Sequence, residues 1–141
     1  MNPEVDATRV ERCIHRYIAA WNARDFGAMA GAFTEPAVFV LAGATHVLAD
    51  RAALQAFLRG VFADLEARGF GHTEIGAITS RRLGATLLLA EVDDIRRFHR
   101  DGRLMETIEV QYTLRLDPQA ADGLSMVSAL WCEPGWRQRR L

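Results

Sequence analysis

The chain has 141 residues, half of them hydrophobic, and its seventeen basic residues are all arginine, balanced by eighteen acids for a formal net charge of −1. This length predicts a single domain over residues 1–141 that buries about two-thirds of its unfolded surface. The absence of lysine excludes a lysine Schiff base and a P-loop lysine. A net charge near zero argues against a general nucleic-acid binder.

The first helix is predicted over residues 6–24, where apolar residues recur at intervals of three and four with Asp6 as a plausible N-cap. Asp25 is a suitable N-cap for a short second helix, and Asp50 for a third. Strands are predicted between these two helices, over residues 37–43 and 45–48, and the third helix over residues 51–68.

The period then changes to two, which is typical of strands. Four long strands are predicted over residues 72–82, 85–100, 103–116 and 125–133, with a hairpin turn at Asp101-Gly102. In the third of them, one set of alternating residues is apolar and should face the helices: Ile108, Val110, Tyr112, Leu114 and Leu116. Three helices followed by an antiparallel meander indicate an α+β fold with the helices on one face of the sheet.

The remaining composition signals are absences. No apolar stretch approaches the roughly 20 residues of a membrane span, and no secretion signal is visible, so we expect a cytoplasmic protein with no membrane or nucleic-acid partner. Cys13 and Cys132 are interpreted as buried free thiols, with a disulfide or a catalytic thiol as the alternatives. The spacing of cysteine and histidine shows no metal motif, and we predict no metal and no cofactor.

Two segments carry a resemblance to a known superfamily. The run HRYIAAWNARDFGAMAGAF at residues 15–33 and the last strand SMVSALWCE at residues 125–133 resemble the nuclear transport factor 2-like superfamily, in particular its ketosteroid isomerase-like and SnoaL-like polyketide cyclase branches. The resemblance implies a cone-shaped, curved, mixed but mostly antiparallel sheet wrapped around three N-terminal helices. It also implies an apolar pocket at the open end and a homodimer through the outer sheet face.

The resemblance can be carried over at three positions. Tyr17 matches the helix-1 tyrosine that donates to an oxyanion in ketosteroid isomerases. Leu41 stands where those enzymes have their general-base aspartate, and Tyr112 where they have a protonated aspartate. Proton abstraction requires a positioned acceptor, so ketosteroid isomerase activity as such is rejected. The positions that line the pocket by this resemblance are Trp21, Phe39, Leu41, Phe57, Leu89, Tyr112, Ala129 and Trp131.

Two further side chains are candidates for moving a proton. Glu91 interrupts a strand whose two faces are both apolar in its first half, so it either lines the pocket as a substitute base or lies on the outer face in solvent or a dimer contact. His46 follows the first strand and either rims the pocket or lies at the surface. Tyr17 itself is either a core tyrosine or a donor into the cavity.

The arginine doublets are interpreted as solvated ends of strands, with an anion-binding rim as the alternative. They are Arg81-Arg82, Arg96-Arg97 and the basic tail at residues 136–141.

Two functions from different classes remain open. The first is a cofactor-independent isomerase, cyclase or dehydratase that acts on a small apolar carbonyl compound of polyketide-like or steroid-like type, with Tyr17 polarising the carbonyl and Glu91 or His46 moving a proton. The second is a non-catalytic ligand-binding or dimeric scaffold module. The missing family base favours the second function, whereas Glu91 within an apolar strand favours the first.

Overall fold

The structure is a computed structural model that describes residues 2–133. Three helices and seven strands follow one another along this described part of the chain. They are α1 (Pro3–Ala23), α2 (Phe26–Gly31), β1 (Phe33–Leu41), β2 (Ala44–Leu48), α3 (Arg51–Ala67), β3 (Phe70–Glu74), β4 (Ile78–Arg82), β5 (Leu87–His99), β6 (Leu104–Leu116) and β7 (Leu124–Cys132). Two helices, a pair of strands and a third helix therefore precede a run of five strands, and the α+β expectation is confirmed. The basic tail lies outside the described residues.

The seven strands form one curved, unclosed sheet. Its order is β2-β1-β7-β6-β5-β3, and β4 also pairs with β5. Every pair is antiparallel except β1 with β7, which is parallel. Two strands pair with the same edge of the long β5: β4 with its first half and β3 with its second half. The candidate site described below involves the second half of β5.

The predicted strand over residues 72–82 is wrong in one respect, since it is two strands separated at residues 75–77. At this interruption Gly76 packs against a kink in β5. A β-carbon on Gly76 would lie 2.9 Å from the β-carbon of Asp94, a contact that no larger residue could make without displacement. The break in one strand therefore accommodates the kink in its neighbour.

The start of α1 also differs from the prediction. The side chain of Asn2, not Asp6, caps the helix by accepting hydrogen bonds from the backbone of Glu4 and Val5. Asp6 lies one turn inside the helix and forms a two-point ion pair with Arg82 of β4, at 3.0 and 3.1 Å. Asp6 therefore ties α1 to the sheet. The caps predicted at Asp25 and Asp50 are confirmed.

The core lies between the helices and the inner face of the sheet. Val110, Tyr112 and Leu114 of β6 are buried there, as the alternation predicted, and α1 contributes Ile14 and Tyr17. α3 lays a buried stripe on the same core, made of Leu54, Leu58, Phe62 and Leu65. Within residues 2–133, no helix combines the length and the apolar character that crossing a bilayer requires.

Candidate functional site

A small aromatic cavity lies where α1 meets the inner face of the sheet. Tyr17 and Trp21 lie one turn apart on α1, Tyr112 comes from β6, and Trp131 comes from β7. The ring of Tyr17 packs edge-to-face against those of Trp21 and Tyr112, with centroids 6.3 and 6.2 Å apart. The cavity has a volume of about 20 Å³, which is room for about one water molecule.

The charged member of this cavity is Arg97, which is only 6% exposed. Its guanidinium lies 5.2 Å from the ring centroid of Trp131 and 6.0 Å from that of Trp21, within the range of cation–π attraction. Its Nη1 atom donates to Glu106 at 3.5 Å, a long hydrogen bond. The other carboxylate oxygen of Glu106, Oε1, lies 2.8 Å from Nη1 of Arg68. This contact is an ion pair and does not have the geometry of a hydrogen bond. Arg97 is thus a buried cation whose carboxylate partner is shared.

A bulge in β5 brings Arg97 to the inside. Val92 pairs with Val110 and Ile95 with Ile108, so β5 uses three steps where β6 uses two. Asp94, inside this bulge, has a φ of 54°, in the left-handed region. Because side chains alternate along a strand, one extra residue reverses every later side chain. Val92 and Ile95 therefore both face inward, and Arg97 follows Ile95 to the cavity.

The phenol groups of the cavity are held in their protonated form. Burial raises the pKa of Tyr17 well above its ordinary value, against the opposing effects of Trp21 and of the charge on Arg97. Burial likewise raises the pKa of Tyr112, with the neighbouring Tyr17 adding to the effect. Burial lowers the pKa of Arg97 and Glu106 raises it, but a guanidinium stays charged in proteins. The site therefore presents neutral hydroxyl donors beside a fixed positive charge.

Four of the residues predicted for the pocket meet there, namely Tyr17, Trp21, Tyr112 and Trp131. The other predicted residues on the inner side lie outside the cavity lining. Phe39 and Ala129 are buried in the core, Leu41 ends β1, and Phe57 of α3 packs against Phe39. The rings of Phe39 and Phe57 belong to the core of the fold, outside the cavity lining.

Glu91 and Leu89 are placed on the other side of the sheet. Their neighbours Leu88, Ala90 and Val92 are at most 1% exposed and face the core, so the alternating pair points outward. Both line a shallow outer groove with residues of β4. The expectation that Glu91 shares a cavity with Tyr17, and that Leu89 lines it, is therefore wrong, because the strand keeps strict alternation until the bulge.

His46 lies on β2, paired with Phe39, and its ring is 4.8 Å from that of Phe57. It is half-buried and does not line the aromatic cavity. The structure therefore does not bring His46 to Tyr17.

The sequence interpretation missed Arg97, which it placed with Arg96 at a solvated strand end. It also missed Thr73, which is 7% exposed, lines the cavity and is fixed by a two-point backbone contact with Asn22 at 2.8 and 3.0 Å. The available signal was the polar pair Asp93-Asp94 in the middle of an apolar strand, which is suitable for a bulge. Over residues 2–133, no group of three His, Cys, Asp or Glu side chains is arranged to hold a metal ion.

A family model described as NTF2-like protein (DUF6841) matches residues 6–132, and NTF2 stands for nuclear transport factor 2. The chain belongs to this NTF2-like family. The match spans α1 to β7, so it includes every element that builds the cavity. The family description carries no reaction, and no curated protein is similar enough to count as a relative.

Several solved structures share the fold. Aln2 from a Streptomyces species has a TM-score of 0.75 at 21% identity over 99% of both chains. An NTF2-like protein with a cystatin-like fold from Novosphingobium aromaticivorans has a TM-score of 0.73 at 19% identity, over 92% of this chain and 82% of that one. A protein from Catenulispora acidiphila, solved in complex with S-DNPA, has a TM-score of 0.68 at 18% identity, over 89% of this chain and 90% of that one. At these identities the likeness establishes the fold alone.

Proposed function

We propose that this protein binds a small, largely apolar molecule whose carbonyl or carboxylate oxygen is held by Arg97, Tyr17 and Tyr112. The observation that carries the proposal is an imbalance of polar groups. Within residues 2–133, the cavity lining offers a guanidinium and two phenols, and it includes no carboxylate or imidazole. Charge-assisted hydrogen bonds from such donors suit an acceptor oxygen. The Catenulispora complex of the same fold supports a ligand-binding role.

The ligand must open the cavity to enter it. The volume of about 20 Å³ is far below the 300–1,000 Å³ typical of ligand sites. Trp131 is half-buried and lies on the last described strand, whereas Tyr17, Trp21 and Tyr112 are at most 5% exposed. Trp131 is therefore the wall we expect to move. Its ring would then cover the apolar part of the ligand.

The geometry favours binding and polarisation of the oxygen over proton transfer. By the resemblance to ketosteroid isomerases, Leu41 stands where those enzymes have their base aspartate, and Glu91 and His46 lie outside the cavity. A bound carbonyl would be polarised by three donors, yet no described lining residue is placed to accept its α-proton. Proton-transfer catalysis therefore has less support than binding.

The test compares three probes that share a naphthalene ring and carry a carboxylate, a ketone or no oxygen. We expect 2-naphthoate to bind more tightly than 2-acetonaphthone, and naphthalene to bind most weakly. Binding is measured by the NMR chemical shifts of the indole N–H groups of Trp21 and Trp131. Replacing Arg97→Met should weaken 2-naphthoate by at least about tenfold, because a charged donor is lost. The control Arg96→Met, on the opposite face of the same strand, should leave affinity unchanged. Equal affinity for the three probes, or equal loss in both variants, would contradict the proposal.

A second candidate function is a dimeric scaffold, and one observation favours it. The outer sheet face carries apolar side chains, including Val40, Leu89 and Leu130, beside half-buried polar ones. Leu130 is 39% exposed. A second copy of the chain is the proposed occupant of this face. Sedimentation at micromolar concentration should give twice the 15.7 kDa of one chain, and Leu130→Glu should return the monomer mass. A monomer in the wild type would rule the scaffold out and leave the ligand proposal standing.

A further inference from the structure

A second cavity also touches Tyr17 but is built from different elements. It lies between α1, α2, the first residue of α3 and the loop over residues 117–123 that joins β6 to β7. Its volume is about 430 Å³, within the range of small-molecule sites. This cleft is therefore roomy without any rearrangement, in contrast to the aromatic cavity.

Two charged side chains in the cleft already form an ion pair with each other. Arg16 of α1 donates from Nε and Nη2 to the two carboxylate oxygens of Asp122, at 2.9 and 3.4 Å. The carboxylate of Asp122 is only 9% exposed. This bidentate pair is neutral overall and fastens the loop to α1, so it shapes the cleft and leaves no charge for a ligand.

Two opposite charges remain at separate walls. Asp117 of the loop accepts from the hydroxyl of Ser125 at 2.9 Å and from the backbone of Gln119 at 3.0 Å. Both donors are neutral, and within residues 2–133 no arginine forms an ion pair with Asp117. Across the cleft, Arg51 begins α3 and its side chain is exposed. Among residues 2–133, no carboxylate lies within ion-pair distance of its guanidinium.

Much of the remaining lining is apolar. It includes Ala28, Ala32, Leu124 and the buried Cys13, beside the ring of Tyr17. We propose that the cleft binds a zwitterion of amino-acid type, with its ammonium on Asp117, its carboxylate on Arg51 and its apolar side chain against this apolar lining. The two charged groups lie on one carbon of the ligand, and each would then meet an opposite charge that forms no ion pair within residues 2–133. Glu35 contacts Arg51 through the backbone N–H of Arg51, at 2.9 Å.

Three matched probes test which ends are recognised. Free phenylalanine carries both charges, 2-phenylethylamine only the cation, and 3-phenylpropionate only the anion. We expect phenylalanine to bind at least about tenfold tighter than either single-charge probe, measured by isothermal titration. The titrations are repeated in Arg97→Met, which removes any binding of 3-phenylpropionate at the aromatic cavity and so separates this site from the proposed function.

Three variants test where the probe lies. Arg51→Gln should reduce phenylalanine to the affinity of 2-phenylethylamine, and Asp117→Asn should reduce it to that of 3-phenylpropionate. Ala121→Trp should abolish binding by filling the cleft while leaving both charges in place. Arg115→Gln, an exposed arginine of β6 outside the cleft, is the matched control and should change nothing. Thermal melting of each variant confirms that it is folded.

Three results would overturn the proposal. They are an affinity for 3-phenylpropionate equal to that for phenylalanine in the Arg97→Met protein, unchanged binding in a folded Ala121→Trp variant, and the absence of saturable phenylalanine binding at millimolar concentration. The first would mean that the site recognises an anion alone. If Arg97→Met leaves 2-naphthoate binding unchanged while the phenylalanine titrations give the expected results, only the aromatic-cavity proposal is overturned.

Discussion

The two halves of β5 follow the same alternation rule and reach opposite outcomes. Before the bulge, Leu88, Ala90 and Val92 face the core and Glu91 faces outward. After it, Ile95 and Arg97 face the core, although strict counting would have placed them with Glu91. One inserted residue therefore decides whether a charged side chain is a surface group or a cavity wall.

Inserting one alanine between Ile95 and Arg96 breaks this difference most severely. The insertion reverses the later side chains of β5, so it would turn Arg97 outward and place Arg96 in the core. We expect a loss of more than about 4 kcal/mol in the free energy of unfolding, or no cooperative transition, in urea denaturation followed by circular dichroism. Insertion of one alanine after Gly84, whose site has open space around it, is the control and should cost less than about 1 kcal/mol. Equal losses would mean that the direction in which the β5 side chains face is not responsible.

Alkaline pH tests the burial of the groups behind the inner face. Burial raises the pKa of the Cys13 thiol from 9.0 to about 11, with Asp122 adding to the effect. The unfolded chain therefore releases this proton first, so the contribution of the thiol to the free energy of unfolding should fall as pH rises from 9 and level off above 11, by about 3 kcal/mol in all. The raised pKa values of Tyr17 and Tyr112 extend the fall to higher pH. Denaturation midpoints measured across this range give the curve.

Cys13→Ala supplies the control for that curve. It should remove the part of the fall that begins near pH 9 and keep the part due to the tyrosines. An unchanged slope over the first pH unit of the fall would show that the thiol is not buried as described.

Two glutamates on opposite faces of the sheet, Glu106 of β6 and Glu91 of β5, should respond differently to neutralisation. Glu106→Gln removes the carboxylate that faces the buried Arg97, and we expect a loss of about 1–2 kcal/mol, less than for a fully buried pair because Glu106 is 28% exposed. Glu91→Gln, on the outer face, should change the free energy of unfolding by less than about 0.5 kcal/mol. Chemical denaturation of both variants makes the comparison, and a larger effect at Glu91 would reverse the assignment of faces.

The smallest effects are expected at the bulge backbone itself. With a φ of 54° at Asp94, Asp94→Val should cost about 1 kcal/mol because β-branched residues avoid the left-handed region. Asp94→Gly relieves the same conformation and should be neutral or slightly stabilising. Melting temperatures order the three proteins, and a valine variant as stable as the glycine variant would argue against the left-handed geometry.

Much of the fold was predictable because its signals are local. The caps at Asp25 and Asp50 are single residues that satisfy neighbouring backbone groups, and the apolar face of β6 follows from strict alternation. The cap of α1 was misplaced because Asp6 is chemically a good cap, yet its partner is Arg82, which lies 76 positions away in sequence.

The site was predictable only in part, for a reason that β5 makes clear. The resemblance to a known superfamily pointed to Tyr17, Trp21, Tyr112 and Trp131, and these four residues line one cavity. Arg97 lies beyond a bulge that depends on contact with Gly76 of another segment. Counting residues within one strand cannot reveal such a contact, so the most polar group of the cavity was assigned to solvent.

The most direct test of the central claim is the environment of the two adjacent arginines. We predict nuclear Overhauser effects from the guanidinium protons of Arg97 to the indole rings of Trp21 and Trp131, since its guanidinium carbon lies 6.0 and 5.2 Å from their ring centroids. Arg96, whose guanidinium lies 6.0 Å from the ring of Phe98, should show effects to that ring and none to the tryptophans. Tryptophan contacts from Arg96 and none from Arg97 would contradict the inward placement of Arg97.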